Sequence, residues 1–148
     1  MAKLVLNKRA SYDYFLLDRY ECGVVLTGAE VKSIRGGRVS LQDSFVRVKN
    51  NEAYLVNAYI NPYNFADSRH YDPRRERKLL LHKKQISELA AMVGGKNTTI
   101  VPVSMYDKNN SIKVEVAIGK GKKQFDKRAA IKKKDMDKKV RQELGRVR

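Results

Sequence analysis

The residue types that most often carry catalysis are few in this chain of 148 residues, and their spacing forms no recognised site. Of the two histidines, His70 lies beside Asp72 in a candidate acid–base pair, although a surface histidine is the simpler explanation. His82 and the single cysteine, Cys22, are remote from that pair in sequence. No spacing typical of metal ligands is present. The sequence therefore predicts a protein that is not an enzyme and that has no catalytic residues, no metal and no cofactor.

Cations and aromatic side chains, by contrast, occur together in two polar segments. The first is residues 61–78. Its aromatic residues are Tyr63, Phe65 and Tyr71, and its cations are Arg69, Arg74, Arg75, Arg77 and Lys78. The second is the run Gly121, Lys122, Lys123, Gln124, Phe125, Asp126, Lys127 and Arg128. Cations that replace counterions along phosphates, with flat groups on which bases stack, are typical of RNA binding. For the tyrosines, packing in a core is an equal alternative, whereas the polar surroundings of Phe125 favour contact with a partner.

The charge distribution supports the same interpretation. The formal net charge is +16, and residues 120–148 hold 13 basic and 4 acidic side chains, a net of +9. This segment has almost no apolar residues from which to build a core. The sequence therefore predicts an RNA-binding domain at residues 1–119 and a basic C-terminal tail at residues 120–148.

Most of the predicted domain has the pattern of short strands. Residues 112–118 alternate apolar with mostly polar residues, and the same pattern puts Val101, Val103 and Met105 on one face. Turn residues at 108–111 predict a hairpin between these two segments. A second hairpin is predicted at Asn50-Asn51, with Tyr54, Val56, Ala58 and Ile60 sharing a face of its second arm. Residues 14–26 are predicted to form a long or bulged strand.

Two helices are predicted between the strands. Thr27-Gly28-Ala29-Glu30 matches a capping box, and Gly36-Gly37 would end the helix that it begins. Residues 82–93 carry Ile86, Leu89, Ala90 and Val93 at helical spacing. Short strands with two short helices predict a mainly β fold, a small antiparallel barrel, although the strand count does not distinguish a closed barrel from a sandwich.

The tail has only a narrow apolar stripe, at Met136, Val140, Leu144 and Val147. So narrow a stripe does not offset the repulsion among its charges, which predicts a tail that is disordered when free and folds against RNA. A helix on a membrane surface is the competing idea, but the stripe lacks Trp and Phe. The lone cysteine and the absence of a secretory pattern near Met1 favour a cytoplasmic protein without a membrane partner.

Five motifs occur in an order that is typical of one family. They are Asn7-Lys8-Arg9-Ala10, the run at 28–35, Asp43-Ser44-Phe45-Val46, the run at 72–81 and the run at 119–128. Together they closely resemble the bacterial SsrA-binding protein family, also called small protein B. The resemblance covers nearly the whole chain.

The resemblance implies an oligonucleotide-binding-type barrel with added helices, and a partner, transfer-messenger RNA. A member of this family binds the tRNA-like domain of that RNA and brings it to ribosomes stalled on messages without a stop codon, in complex with elongation factor Tu. The tail would occupy the empty message channel and the decoding centre, where ribosomal RNA forms the walls.

The resemblance also assigns roles to individual residues. Those implied to bind the tRNA-like domain are Glu21, Leu80 and Lys113, and those implied to engage the ribosome lie in Gly121–Lys123 and Phe125–Arg128. Lys113 suits a phosphate contact, since its strand neighbours would point to the opposite face. Glu21 would accept hydrogen bonds from a base or ribose, or position a cation. Leu80 would either cover a base or belong to the core.

Two other functions are consistent with parts of the pattern. A general RNA chaperone or ribosomal protein would show little preference for a tRNA-like acceptor. A nuclease would need an acid–base or metal constellation that the sequence does not supply.

Overall fold

Six strands of this protein close into an antiparallel ring. The structure, a computed structural model, describes residues 2–63, 70–93 and 98–122. Its elements follow in the order β1 (Ala2–Leu6), α1 (Lys8–Asp13), β2 (Tyr14–Val24), α2 (Gly28–Arg35), β3 (Val39–Ser40), β4 (Phe45–Lys49), β5 (Glu52–Val56), β6 (Tyr59–Ile60), β7 (Arg77–Leu80), α3 (Lys83–Val93), β8 (Thr98–Lys108) and β9 (Ser111–Gly121). The ring runs β8-β4-β5-β7-β2-β9 and returns to β8. The mainly β fold with an oligonucleotide-binding-type barrel and added short helices is therefore confirmed, and it is a closed barrel.

Long strands with irregular register make the closure possible. β8 pairs with β9 along one edge, while its other edge meets β4 at Ile100 and β1 farther along. β2 likewise pairs with β9 over most of its length and with β7 at its end. Register shifts interrupt β2 between Leu16 and Arg19 and β8 between Pro102 and Ser104. Such irregularities bend a strand and increase its twist, so that one strand can serve two neighbours. The predicted long or bulged strand from Tyr14 is confirmed.

The core fills the inside of the ring, and α3 covers part of it. β9 contributes alternate residues, as the sequence predicts, and α3 contributes Leu89. The members of the cluster are Cys22, Ile34, Leu41, Val46, Ala53, Leu55, Ala58, Ile60, Leu79, Leu89, Ile100, Met105, Ile112, Val114, Val116 and Ile118. Burial of this many apolar side chains is the main force that holds the barrel together.

Two predicted strand faces are wrong. Ile100 and Met105 belong to the core cluster, whereas Val101 and Val103 are buried outside it, because the register shift at Pro102 changes which residues face inward. In β5 the inward residues are Ala53 and Leu55 rather than Tyr54 and Val56. The backbone of Asn57 then adopts a φ of 68°, which ends the strand and returns Ala58 and Ile60 to the core.

Both predicted hairpins are confirmed. Asn50 and Asn51 have φ of 52° and 59°, and Asn109 and Asn110 have φ of 52° and 63°. Two successive left-handed residues form a type I′ turn, whose twist matches that of paired strands. Asparagine tolerates this region better than other residues with a Cβ. The turns therefore follow directly from the asparagine pairs in the sequence.

Both predicted helices are present, and one short helix was not predicted. In α2 the Thr27 hydroxyl accepts the amide of Glu30 at 3.2 Å, and the Glu30 carboxylate accepts the amide of Thr27 at 3.0 Å, which completes the capping box. In α3 only Ile86 and Leu89 are buried, because Ala90 and Val93 face solvent. The unpredicted helix, α1, spans six residues and lacks a side-chain cap, so it has no clear sequence signal.

The barrel extends past residue 119, where the predicted domain ends. β9 continues to Gly121, and the backbone amide of Lys122 donates to the carbonyl oxygen of Asp13 at 3.0 Å. Residues 123–148 lie outside the described residues, and with them lie the predictions about the tail, including those for Lys123, Phe125 and Asp126–Arg128. Within the described residues, no helix has both the length and the apolar character needed to cross a membrane.

Candidate nucleic-acid interface

Four strands place one residue each in a row across the outside of the barrel. Register pairs Leu80 of β7 with Gly23 of β2, Gly23 with Lys113 of β9, and Lys113 with Tyr106 of β8. Residues directly opposite in antiparallel strands point to the same face. We call these four residues the outer row. Two of the three residues that the family resemblance implicates, Leu80 and Lys113, thus share one surface.

Leu80 is a surface residue and does not belong to the core. Its side chain is 53% exposed, although its neighbour Leu79 is in the core. It lies over Gly23, where a Cβ would approach both Cβ and Cδ1 of Leu80 to 3.3 Å. The glycine therefore leaves room for Leu80 to extend across β2 toward Lys113. An exposed apolar side chain in this position is suited to contact a ribose or the face of a base.

Glu21 lies beside the outer row and is held by two donors. Its carboxylate accepts a hydrogen bond from the Tyr106 hydroxyl at 2.5 Å and from the Lys108 ammonium at 3.1 and 3.4 Å. The Tyr106 hydrogen bond, followed by that of Lys108, lowers the pKa of Glu21. Burial raises the pKa of Tyr106, and donation to Glu21 raises it further. At neutral pH Glu21 is therefore a carboxylate and Tyr106 is a protonated phenol.

Three members of the outer row, Leu80, Gly23 and Lys113, line an open cavity of about 540 Å³. Glu21, Leu80 and Lys113 all line it, as does Lys78 on its far side. Other lining residues come from the start of α3 and the chain just before it, namely His82, Lys83, Gln85 and Ile86. The structure therefore brings together four of the seven residues predicted to bind RNA in the barrel.

The other three predicted residues lie elsewhere, and two of them, Arg75 and Arg77, contact Glu30. Arg77 is fully buried, with Nε donating to the Glu30 carboxylate at 2.7 Å and Nη1 donating to the carbonyl of Ala58 at 2.9 Å. The prediction that Arg77 contacts RNA is therefore wrong for the folded domain, because its guanidinium is enclosed by protein acceptors. Arg75 forks onto the same carboxylate and is one third exposed. Arg74 is exposed and lies 5.1 Å from the ring of Tyr59.

Glu30 is the centre of this buried cluster. Only 1% of the residue is exposed, and burial alone would raise the pKa of its carboxyl. Hydrogen bonds from Arg75, from the Thr27 amide and from Arg77 outweigh that effect, so that the pKa lies below its usual value. The Tyr71 hydroxyl also lies 3.1 Å from Glu30, which assigns this tyrosine to internal packing.

Asp72 of the candidate acid–base pair has a structural role in a turn. Asp72 accepts the backbone amide of Arg74 at 2.9 Å, which stabilises the turn at residues 72–75. Cys22 is fully buried, and burial raises its pKa to about 12, which leaves its thiol protonated at neutral pH. Within the described residues, no group of three or more His, Cys, Asp or Glu side chains could hold a metal ion.

Two residues of the predicted ribosome-engaging segment are within the described part of the chain. The Lys122 ammonium donates to the carbonyl of Ser11 at 2.9 Å and lies 5.0 Å from the ring of Phe15. Gly121 pairs with Tyr14 at the end of β2. These contacts fix the point from which the basic segment continues.

Many cations of the barrel surface are paired with carboxylates. Around the outer row the pairs are Arg19–Glu115 at 2.7 Å, Lys78–Glu52 at 3.1 Å, Lys108–Glu21 at 3.1 Å, Arg35–Asp107 at 3.2 Å and Lys49–Glu76 at 3.3 Å. Hydrogen bonds from Tyr54 and then from Lys78 lower the pKa of Glu52. The surface therefore presents positive and negative groups in alternation, with Lys113 and the apolar Leu80 between them.

Sequence reasoning missed Lys108, Tyr106 and Gly23. The hairpin at Asn109-Asn110 contained a usable signal, because its register places Tyr106 opposite Lys113 and Lys108 at the turn. The approach of Glu21 to Lys108 could not be found in this way, since it depends on the pairing of β2 with β9 across the closed ring.

Comparisons with known proteins show which proteins this chain is similar to. A sequence profile of the family described as "SmpB protein" matches residues 4–146. An SsrA-binding protein of Geotalea uraniireducens (strain Rf4) is 52% identical over 130 residues, which cover 88% of this chain and 86% of the relative. An SsrA-binding protein of Oleidesulfovibrio alaskensis is 47% identical over 145 residues, which cover 98% and 94%. A solved structure described as "tmRNA-SmpB: a journey to the center of the bacterial ribosome" contains a similar chain, with a TM-score of 0.69 and 43% identity over 81% of this chain and 85% of that one.

Proposed function

This chain belongs to the SmpB protein family, and from that membership we propose that it is an RNA-binding adaptor of ribosome rescue. It binds the tRNA-like domain of transfer-messenger RNA and brings that RNA to stalled ribosomes for trans-translation and peptide tagging. The names of its relatives and the ribosomal context of its structural neighbour support this role. Its place of action is the cytoplasm, where ribosomes translate.

The observation that carries the proposal is the convergence of Glu21, Leu80 and Lys113 on one cavity. These residues are distant in sequence, and each matches a position that the family uses for the tRNA-like domain. In the proposed complex the Lys113 ammonium pairs with a phosphate, because a lysine acts as a compact cation with donors free to rotate. Leu80 packs on a ribose or a base, which adds apolar contact beside the charge. Lys78 supplies a second cation on the far side of the cavity.

Binding rather than catalysis is the proposed activity. The cavity combines cations with an apolar side chain, and such a surface holds a polyanion without breaking its bonds. Labelled RNA incubated with the protein, with and without magnesium, is expected to remain intact. Cleavage in either sample would contradict the proposal and would favour a nuclease.

The segment after the barrel has a separate proposed role at the ribosome. Gly121 and Lys122 anchor its start on the barrel, and the residues proposed to engage ribosomal RNA continue through Lys123, Phe125, Asp126, Lys127 and Arg128. A net charge of +9 in residues 120–148 suits a channel lined by RNA. Because messenger RNA would fill the same channel, competition for that space would restrict the protein to stalled ribosomes. Elongation factor Tu would join through the aminoacylated RNA.

The test is the affinity of the full chain for the tRNA-like domain, compared with an ordinary tRNA at the same salt concentration. Strong preference for the tRNA-like domain, reduced by Lys113→Met, would support the proposal. The matched control is Lys120→Met, an exposed lysine at the other end of the same strand, β9, and outside this cavity. Equal affinity for both RNAs would indicate a general RNA chaperone instead.

A further inference from the structure

We infer that Lys108 is a phosphate-binding residue of this interface and that Glu21 is the positioning residue that holds it in place. The inference rests on the proposed function, since it concerns how the same surface binds RNA. It assigns to Glu21 an indirect role, exerted through the ammonium of Lys108. The ligand of Lys108 is a backbone phosphate of the tRNA-like RNA.

The hydrogen bonds of Glu21 argue against direct contact with RNA. A carboxylate has about four lone-pair positions. In Glu21 the Tyr106 hydroxyl and the Lys108 ammonium already supply three hydrogen bonds to it. A carboxylate also repels phosphate, which makes it a poor first contact for a polyanion. Its two donors are therefore its natural partners.

The Lys108 ammonium, in contrast, retains capacity for a ligand. An ammonium group has three donors, and the two Glu21 oxygens occupy at most two of them. The side chain is 41% exposed, so a donor can face solvent. Register places Lys108 two residues from Tyr106, which lies directly opposite Lys113. Two ammonium groups thus lie on the same stretch of surface.

The backbone beneath Lys108 is fixed from the other side by helix α2. Arg35 pairs with the Asp107 carboxylate at 3.2 Å and donates to the carbonyl oxygen of Asn110 at 2.9 Å. These contacts flank Lys108 in sequence and tie its turn to the barrel. With the backbone held by Arg35 and the side chain by Glu21, the ammonium has little freedom to lose on binding RNA. A cation fixed in advance binds with a smaller entropic cost than a mobile one.

The change in RNA affinity on Glu21→Gln distinguishes simple electrostatics from positioning, because the two predict opposite signs. Glu21→Gln removes a negative charge, so electrostatics alone predicts tighter binding of RNA. If Glu21 positions Lys108, the same substitution releases the ammonium and weakens binding, by roughly tenfold for one charge-assisted contact. Lys108→Met is expected to cause a similar loss and to reduce the slope of log affinity against log salt by about one.

The experiment is a double-mutant cycle on the full chain, with the tRNA-like domain as the RNA. The variants are Glu21→Gln, Lys108→Met and the double variant. Tyr106→Phe serves as a second probe, because it removes one donor to Glu21 while leaving the ring in place. Glu115→Gln is the control, because Glu115 lies directly opposite Glu21 and pairs with the exposed Arg19. Thermal unfolding of each variant establishes that it is folded.

We expect Glu21→Gln to weaken RNA binding in the wild-type background. In the Lys108→Met background the same substitution should change the affinity less than twofold. Tyr106→Phe should cause a smaller loss, and Glu115→Gln none. Any one of three results would overturn the inference while the proposed function still stands. They are tighter RNA binding by Glu21→Gln, equal losses of affinity on Glu21→Gln in both backgrounds, and wild-type affinity of Lys108→Met. If the wild-type chain shows no preference for the tRNA-like domain over ordinary tRNA, the proposed function fails and the inference fails with it.

Discussion

Leu79 and Leu80 are adjacent residues of β7 whose side chains lie on opposite faces of the sheet. Leu79→Ala removes a core side chain and should lower the free energy of unfolding by about 2–5 kcal/mol. Leu80→Ala removes an exposed one and should change stability by less than about 1 kcal/mol, while affinity for the tRNA-like domain falls. Urea unfolding and RNA titration of both variants measure the two quantities.

The pair provides its own control, because the substitution and the strand are the same. RNA affinity of Leu79→Ala should stay close to that of the wild type at temperatures where the variant is folded. If Leu80→Ala bound RNA as well as the wild type does, Leu80 would be an ordinary exposed residue and the proposed contact would be wrong.

Glu30 should make stability depend on pH in the acid range. Its folded pKa lies below the value in the unfolded chain, so its stabilising effect is present at neutral pH and is lost as pH falls through the folded pKa. Glu30→Gln leaves Arg75 and Arg77 without their carboxylate and should lower the free energy of unfolding by about 3–5 kcal/mol at pH 7. Urea unfolding from pH 7 to pH 3 should show this difference narrowing below roughly pH 4.

Glu88→Gln is the matched substitution, on an exposed residue of α3 that accepts a hydrogen bond from Tyr20. It should leave stability nearly unchanged across the range. A difference between Glu30→Gln and the wild type that stayed constant with pH would show that the Glu30 carboxylate is not ionised in the cluster.

At the residue scale, the sequence shows residue types and their spacing, but it does not show which of these side chains are buried. Arg74, Arg75 and Arg77 are equally basic and almost consecutive, yet one is exposed, one is partly exposed and one is enclosed. The difference arises because the buried carboxylate of Glu30, 47 residues earlier than Arg77, binds Arg77 and Arg75. A contact between segments so far apart has no local signature.

Substitutions in the turn of the β8–β9 hairpin test how that turn contributes to stability. Asn110 has a φ of 63°, where a β-branched residue is strained, so Asn110→Val should lower the free energy of unfolding by roughly 1–2 kcal/mol. Asn110→Gly should be tolerated, because glycine adopts this conformation freely. The contact with Arg35 uses the backbone carbonyl of residue 110 and is available in both variants. Equal urea midpoints for the two variants would contradict the left-handed turn.

The elements themselves were largely predictable, because their signals are local. A capping box, two asparagine pairs and one alternating strand identified α2, both hairpins and β9. The inward faces of β5 and β8 were not predictable, since a one-residue irregularity reverses alternation and has no signature of its own. The short α1 was missed because its stability comes from packing of Ala10 against the barrel rather than from a cap.

For the whole molecule, we propose that the barrel binds the tRNA-like domain and that the tail engages the ribosome. This division predicts that RNA binding and peptide tagging can be lost separately. Asp126→Ala, Lys127→Ala and Arg128→Ala together should abolish peptide tagging, while affinity for the tRNA-like domain stays within about twofold of the wild type. Tagging in a reconstituted translation system and RNA titration measure the two activities. Lys134→Ala is the control, since it changes the net charge by the same amount. Parallel loss of RNA binding and tagging in the triple variant would refute the division.

The number of predicted strands does not show whether the barrel is closed. Closure depends on Val46 meeting Ile100 and on Leu80 meeting Gly23, contacts between segments more than fifty residues apart. The ordered motifs supplied what periodicity could not, because the resemblance that they carry implied an oligonucleotide-binding-type barrel. The family resemblance indicated Glu21, Leu80 and Lys113, whereas their convergence on one surface required the register of the paired strands.

The ion pairs on the barrel surface have a consequence for the kinetics of encounter. Paired charges largely cancel at a distance, so the long-range field of the protein comes from its net charge of +16, of which residues 120–148 carry +9. Salt screens that field strongly and affects short contacts in the cavity less. Raising salt should therefore slow the arrival of RNA more than it hastens departure. The tail would supply more than half of the charge that sets how often the protein meets RNA, and the barrel would determine which RNA remains bound.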